Sequence, residues 1–344
     1  MDHQIYLTND WIQEVWRMST TSALRRSSGL PARILKTPLV LAVAVTVLYL
    51  NETISTTVLN KAYSHGLSQP SSLSKPLRPC VRNPFISSLS TSAANATGYM
   101  RSWLQTVTKR ERDLVAAGQR HDHTRFGAFE QYSDCERACV GGICGEDESK
   151  IVCGLSQLRA SCVVYSIGGN NLWAFEMDLL EKTSCDVHTF DCTGPIERFE
   201  VPKHPRLHFH HVCIAATSAL SHTDPSMHGT QKTFEEILQN LGHRSVDLLK
   251  MDIEGYEWPL IYDWYEMNQL QRSNYPMPMQ ILVEVHYRTG MRDLALTDKR
   301  DFKFATDMIQ LQSSLLKMGY FTAVNAPNPH CQHCTELTLL RMLC

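Results

Sequence analysis

The 344-residue sequence has no surplus of basic charge: 33 Lys and Arg stand against 35 Asp and Glu, a formal net charge of -2. A nucleic-acid binder needs a basic stripe able to displace many phosphate counterions, so nucleic acid is excluded as the expected partner. The chain also lacks an apolar run of comfortable membrane-spanning length. The candidate, TPLVLAVAVTVLYL from Thr37 to Leu50, covers only ~21 Å as a helix, against ~30 Å of hydrocarbon core. No A-x-A-like site follows it, which argues against a cleaved signal peptide. Arg25, Arg26, Arg33 and Lys36 lie before it, an order that orients a signal anchor with its N-terminus in the cytosol.

Few residues before position 110 can build a core. SHGLSQPSSLSKPLRP has the Ser, Pro and Gly content of a stem. The expected organisation is a cytosolic tail over 1–36, a membrane anchor over 37–50, a flexible luminal stem over 51–110 and one folded domain over 111–344. This is the plan of a single-pass type II membrane protein of the secretory pathway, with the Golgi as its expected location and secretion as the alternative. Sequons at Asn51 and Asn95 fall on the luminal side. Twelve cysteines point to an oxidising compartment. Cys135, Cys139, Cys144 and Cys153 lack a clean C-x-x-C pair and read as disulfides rather than a zinc site. Cys331 and Cys334 do have that spacing, and in a luminal chain they too read as disulfide partners.

Apolar runs alternate with amphipathic segments from Cys162 onward. CVVYSI ends in Gly168-Gly169 and precedes the amphipathic NNLWAFEMDLLEK. VHTFD and LHFHHVCIA read as strands. TFEEILQNLG has a Thr233 cap, Glu236 three residues on, and Gly242 as its stop. VDLLKMDIE and QILVEVHY are near-continuous apolar runs of the kind buried in parallel sheets. DFKFATDMIQLQSSLLKMGY is helical in period, and FTAVN and ELTLLRML after it are joined too briefly for a parallel crossover. The pattern predicts an α/β doubly wound sheet ending in an antiparallel hairpin.

Ligands of such sheets bind beyond the carboxyl ends of the strands. The glycine loop SIGGNN lets backbone approach a ligand, and Asp191, 23 residues after Gly168, could accept from both ribose hydroxyls of a nucleoside. Alternation puts Lys250, Asp252 and Glu254 on one face of their strand and Glu284 and His286 on one face of theirs. If these strands are neighbours, Asp252, Glu284 and His286 can bind a divalent metal, or His286 can act as a general base; a salt-bridged strand end with Lys250 as partner is the structural alternative. Adjacent residues of HFHH at 208–211 alternate faces, which favours a solvated strand edge over a metal site.

LLKMDIEGYEW, with TFEEILQNLG before it and QILVEVHY after it, resembles the FkbM-like S-adenosylmethionine-dependent methyltransferases. VVYSIGG, HTFD and NPHCQHCTEL bring the resemblance closer to the methyltransferase-like protein 24 group, over roughly 125–344. The resemblance implies a Rossmann-like class I fold: a mostly parallel seven-stranded sheet with an antiparallel last strand and helices on both faces. It implies S-adenosyl-L-methionine as cofactor, held at Ser166, Gly168, Gly169 and Asp191, with Asp252, Glu284 and His286 as catalytic candidates. O-methylation of a glycan or small-molecule hydroxyl is the expected reaction. Ser166 stands where the broader pattern has an acid, and Asn170-Asn171 interrupt its G-x-G spacing. The alternatives are a luminal glycosyltransferase using Asp252 and Glu254 for metal, and a non-catalytic binding protein of the same fold.

Overall fold

A computed structural model describes residues 123–217, 228–271, 276–287 and 303–341, with 96–118, Arg120 and the isolated positions Asn83, Phe85, Ser88 and Leu89. The proposed tail, anchor and most of the stem lie outside the described residues. No helix among the described residues is long and apolar enough to cross a membrane.

The element order is β1 (Ser88–Leu89), α1 (Ala96–Gly118), β2 (Ser133–Asp134), β3 (Arg137–Val140), β4 (Lys150–Cys153), β5 (Val163–Ile167), α2 (Ala174–Lys182), β6 (Asp186–Phe190), β7 (Leu207–His210), β8 (Val212–Ile214), β9 (Thr230–Lys232), α3 (Phe234–Leu241), β10 (Leu248–Met251), α4 (Glu257–Gln271), β11 (Gln280–His286), α5 (Ala305–Lys317), β12 (Tyr320–Pro327) and β13 (Cys334–Arg341). Seven strands form the central sheet in the order β12-β13-β11-β10-β5-β6-β7. β13 runs antiparallel to both neighbours, and the β5, β6, β7, β10 and β11 pairings are parallel. The Rossmann-like α/β fold is therefore as expected. The final hairpin closes one end of the sheet, as expected, with β13 between β11 and β12 and β12 at the edge.

Alternation along the buried strands sends side chains to two helical layers. Tyr165, Ile167, Leu249, Met251, Ile281 and Val283 pack with Phe234, Trp264, Met308 and Leu311 from α3, α4 and α5. Val164, Leu248 and Leu282 pack with Phe175 and Leu179 of α2 and with Val140 and Val152 of the β3–β4 hairpin. α3 has the start and stop signals read from sequence: Thr233 and Glu236 form a capping box, and Gly242 ends the helix at φ 71°.

The folded unit starts earlier than composition indicated. α1 crosses the 110/111 boundary, and Phe85, Trp103, Val107 and Leu114 join Phe321 and Leu340 in a third apolar cluster. Residues 96–110, counted with the stem, are thus the first part of α1, with Trp103 and Val107 buried. LHFHHVCIA also differs: it breaks at His211 into β7 and β8, and β8 pairs with β9 outside the main sheet.

Disulfides join Cys135 to Cys153, Cys139 to Cys144, Cys162 to Cys185, Cys192 to Cys213 and Cys331 to Cys334. Cys162–Cys185 ties the entry of β5 to that of β6, and Cys192–Cys213 ties the exit of β6 to β8. The cysteines at 135–153 are thus paired among themselves, as the absence of a C-x-x-C spacing implied.

Candidate active site

At the carboxyl end of β5 the chain turns through Gly168 at φ 74° and Asn170 and Asn171 at φ 44° and 64°. Asn is the non-glycine residue that best tolerates this left-handed region, so Asn170-Asn171 fill a geometry that glycine otherwise supplies. Gly168 is fixed by packing: a Cβ there would lie 1.8 Å from the carbonyl oxygen of Asp252. Its own carbonyl accepts from Lys250 Nζ. Gly169 differs, since its φ is unstrained and a Cβ would find only ordinary contacts at 3.6–4.0 Å. Packing alone therefore does not demand a glycine at position 169.

Asp191, just beyond β6, fastens this loop. Oδ2 accepts from the backbone amides of Gly169 (3.1 Å) and Asn170 (2.8 Å), and Oδ1 accepts from Thr193 N (2.8 Å). Since each carboxylate oxygen has two lone pairs, one acceptor direction on Oδ1 is left for a ligand. Ser166 is fully buried on β5, and its hydroxyl donates to Glu176 Oε1 of α2 at 2.5 Å.

The second half of the site lies at the ends of β10, β11 and β13. β10 stops at Met251, and Glu254 turns at φ 55° before Gly255 at 107°. The strand alternation expected through Asp252 and Glu254 therefore does not extend to them. Asp252 keeps its place beside β5 because its amide donates to Ile167 O at 3.0 Å. β10 and β11 are parallel neighbours, so the sheet brings Asp252, Glu284 and His286 together.

Lys150 is the cation paired with these acids, while Lys250, whose Nζ bonds the Gly168 carbonyl, adds its charge to Asp252. Lys150 Nζ is buried at the start of β4, 3.6 Å from Asp252 Oδ2 and 3.9 Å from Glu284 Oε2, and it also pairs with Glu336 of β13. Glu336 lies directly across from Glu284 in the ladder, and Lys150 faces both. Burial alone would lower the Lys150 pKa, but Glu336, Asp252 and Glu284 together hold it above its usual value. For Asp252, burial pushes upward, and the charges of Lys250, Lys150 and His286 outweigh it, bringing the carboxyl down to about 2. Glu284 is pushed up to about 9 by burial and then by Asp252 and Glu336. Asp252, about a quarter exposed, is thus the ionised acid at the mouth, while Glu284 keeps its proton.

His286 is held as a cation. Its backbone amide donates to Glu257 Oε1 at 2.7 Å, its Nδ1 lies 3.3 Å from the same oxygen, and Nε2 lies 3.7 Å from Glu254 Oε2. Burial would lower the imidazole pKa, but fully buried Glu257 first, then Glu284 and Asp252, raise it to about 10. A protonated imidazole donates hydrogen bonds and cannot accept a proton, so the general-base role expected of His286 does not fit this resting state.

Ligand atoms of Asp252, Glu254 and His286 lie within 4.8 Å of one another, as do those of Glu284, His286, Cys331 and Cys334. The metal set expected from sequence, Asp252 with Glu284 and His286, is different: Lys150 is the cation facing both of its acids. HFHH is an edge with two faces. His208 and His210 stack on His188, with ring centroids 4.6 and 5.3 Å apart, while His211 turns to Gly194 O at 2.9 Å.

Lys150, Glu257, Glu336 and Glu176 carry the site's electrostatics without having been singled out by sequence. Lys150 and Glu336 reach it only through tertiary pairing. Glu176 had a local signal, as the acid in the first turn of the helix that follows the glycine loop.

Residues 119–341 match the model of a family described as a methyltransferase domain. Over 129 residues the chain is 26% identical to the Homo sapiens protein named "Probable methyltransferase-like protein 24", covering 36% of this chain and 32% of that protein. The chain thus matches about a third of the length of this curated relative. The Methanococcus jannaschii fibrillarin pre-rRNA processing protein aligns at 8% identity and TM-score 0.34, over 60% of this chain and 83% of its own. TrmK of M. capricolum, solved with S-adenosyl-homocysteine, aligns at 8% and 0.30, over 54% and 65%. The strand order defines the fold here, not these distant likenesses. Because the family model spans about two thirds of the sequence, the chain belongs to this methyltransferase-domain family.

Proposed function

We propose that the protein transfers a methyl group from S-adenosylmethionine to a hydroxyl of a glycan or small molecule, in an oxidising compartment of the secretory pathway. One observation carries the reading: the glycine loop and the acceptor carboxylate share a contact. The Asp252 carbonyl packs where Gly168 has no side chain, so a nucleoside at the loop and a hydroxyl at the Asp252 carboxylate would be neighbours.

The residues present fit such a cofactor. Gly169 presents half-exposed backbone with no side chain, and Asp191 keeps one acceptor direction for a ribose hydroxyl. The cofactor supplies an electrophilic methyl group on a sulfonium. The chain has to hold the nucleophile in line and accept its proton. Asp252, ionised and partly exposed, accepts the hydrogen bond of the hydroxyl, orients its lone pair and takes its proton as the carbon–oxygen bond forms and the carbon–sulfur bond breaks, releasing that proton to solvent. Lys150 keeps Asp252 charged, and protonated His286, fixed by Glu257, adds positive potential beside it. A divalent metal has no part in this reading, since Lys150 faces Asp252 and Glu284 as their cation. Five disulfides among the described residues support the oxidising compartment.

The test uses methyl-labelled S-adenosylmethionine with the full chain and a pool of secretory-pathway glycans and small hydroxyl compounds. Label in an alkali-stable ether supports the proposal. Label in an alkali-labile ester, or none in any hydroxyl compound, contradicts it. Chelators are expected to leave transfer unchanged; loss restored by manganese or zinc would instead place a metal at Asp252, Glu254 and His286.

A further inference from the structure

The loop between β12 and β13 carries two cysteines that neither the fold nor the reading above requires. The Cys331–Cys334 bond has a sequence separation of 3, the shortest of the five disulfides among the described residues, so chain entropy gains least from it. The loop is held by other bonds as well. Asn328 Nδ2 donates to Asp147 Oδ1 (2.7 Å) and Glu284 Oε1 (2.9 Å), Tyr287 N donates to His333 O (2.9 Å), and His123 Nε2 lies 3.1 Å from Cys331 O. What the cysteines add is a donor set. One ligand atom each from Cys331, Cys334, Glu284 and His286 lies within 4.8 Å of the others, and the β11–β13 register puts His286 directly across from Cys334. Two sulfurs, an imidazole nitrogen and a carboxylate oxygen complete a tetrahedral zinc site with no position left open, the arrangement of a structural metal. Partners that orient such ligands are in place: fully buried Glu257 accepts from the His286 amide and lies 3.3 Å from Nδ1, and Asn328 holds Glu284. Glu284 uses different oxygens for its two neighbours, since Oε1 touches Cys334 Sγ and Oε2 faces Lys150 at 3.9 Å. Lys150 therefore keeps its place, and its charge offsets the net negative charge of zinc held by two thiolates and a carboxylate.

We propose that Cys331, Cys334, Glu284 and His286 bind zinc when the Cys331–Cys334 bond is reduced, so that disulfide and zinc are alternative closures of one loop. Sulfurs bonded to each other offer no thiolate, and the two states exclude one another. A phosphine opens the bond: it leaves as its oxide with an oxygen from water, and the two sulfurs become thiols, whose protons are released as zinc binds. Glutathione disulfide reverses the change. The Cys331 thiolate attacks it and expels one glutathione thiolate, the Cys334 thiolate then displaces the second, and zinc is released as the protein disulfide forms. Cys331 is the point of entry, because it is half-buried and Cys334 is wholly buried. The proposal does not depend on the methyl-transfer reading. The oxidised chain, the form in which transfer is proposed, holds no zinc at these residues.

The test reduces the full chain with a water-soluble phosphine under native conditions, adds zinc, removes the excess by gel filtration and measures the metal retained. The reduced chain is expected to hold about one zinc and the untreated chain none. Cys331→Ser and Glu284→Gln should each lose more than about tenfold in zinc affinity, the least that removing even an orienting partner costs. Cys139→Ser, which opens the other short disulfide loop, should bind as the wild type does. Cobalt in place of zinc should give a sulfur-to-metal charge-transfer band that glutathione disulfide abolishes, and this readout on the wild type decides the matter if a variant does not fold. Absence of metal from the reduced chain, metal held equally by Cys331→Ser or by the oxidised chain, or cobalt bound without the sulfur band overturns the proposal. Zinc lost in Glu254→Gln but kept in Cys331→Ser also overturns it, by moving the metal to Asp252, Glu254 and His286.

Discussion

The two halves of the site use different chemistry at the same edge of one sheet. Around β5 and β6 the loop is shaped by backbone amides on Asp191 and by left-handed turns at Gly168, Asn170 and Asn171, with two disulfides closing the strands. Around β10, β11 and β13 the site is a cluster of charged side chains from distant segments, neutralised by Lys150. The contrast follows from the tasks. A constant cofactor can be held by rigid backbone, whereas orienting a nucleophile and keeping Asp252 charged need an electrostatic field.

The largest effect should come from the charged half. Lys150→Met removes the cation paired with Asp252, Glu284 and Glu336 and leaves only the charges of Lys250 and His286 beside them, and is expected to lower the unfolding free energy by ~3–5 kcal/mol in urea titration. A change below ~1 kcal/mol would mean that the cluster is solvated and Lys150 is not its keystone. In the backbone half, replacing Cys162 and Cys185 together by Ala opens a closure of 23 residues and should cost about 3 kcal/mol. Transfer by the folded fraction should persist.

Adjacent glycines sharpen the comparison. Gly168→Ala puts a methyl group into the Asp252 carbonyl at a positive φ and should destabilise by roughly 2 kcal/mol or more. Gly169→Ala should cost under about 1 kcal/mol yet weaken cofactor binding. Thermal melts and calorimetry on both variants check this; equal melting losses would remove the distinction between packing and ligand space.

The two halves should also respond oppositely to pH. At the backbone half, burial and then His243, His208 and His210 depress His188 to about 3. Between its unfolded value near 6.5 and about 3 the unfolded chain binds more protons, so this stability is present above pH ~6.5 and is lost as pH falls. At the charged half His286 is raised to about 10 and Glu284 to about 9. The stability from His286 is full below pH ~6.5 and is lost as pH rises toward 10, and ionisation of Glu284 steepens the same limb. Urea midpoints against pH should therefore fall at both ends, the acid limb flattening in His188→Asn and the alkaline limb in His286→Asn.

Much of the sheet was legible because apolar runs and their stop signals are local. The Thr233 capping box, the β10 and β11 runs and the terminal hairpin stand in contiguous residues. α4 was not read as a helix, since EWPLIYDWYEMNQLQ is apolar on several sides and has no single stripe. The start of the fold was misplaced because one side of α1 is exposed and polar. Within the site, Asp252, Glu284 and His286 were legible as strand termini, but their protonation was not. It depends on Lys150, Glu257 and Glu336, whose approach only the tertiary fold creates. Alternation named Lys250 as the salt-bridge partner because it is nearest in sequence, yet Lys250 bonds the Gly168 carbonyl.

The central claim is that donor binding and acceptor orientation occupy adjoining but separable halves. Its most direct test is Asp252→Asn, with S-adenosylhomocysteine affinity and methyl transfer measured on the same sample. The account predicts affinity within about twofold of wild type and transfer reduced by roughly a hundredfold or more, the scale of a lost proton acceptor. Full transfer by the folded variant, or loss of affinity in proportion to rate, would contradict it.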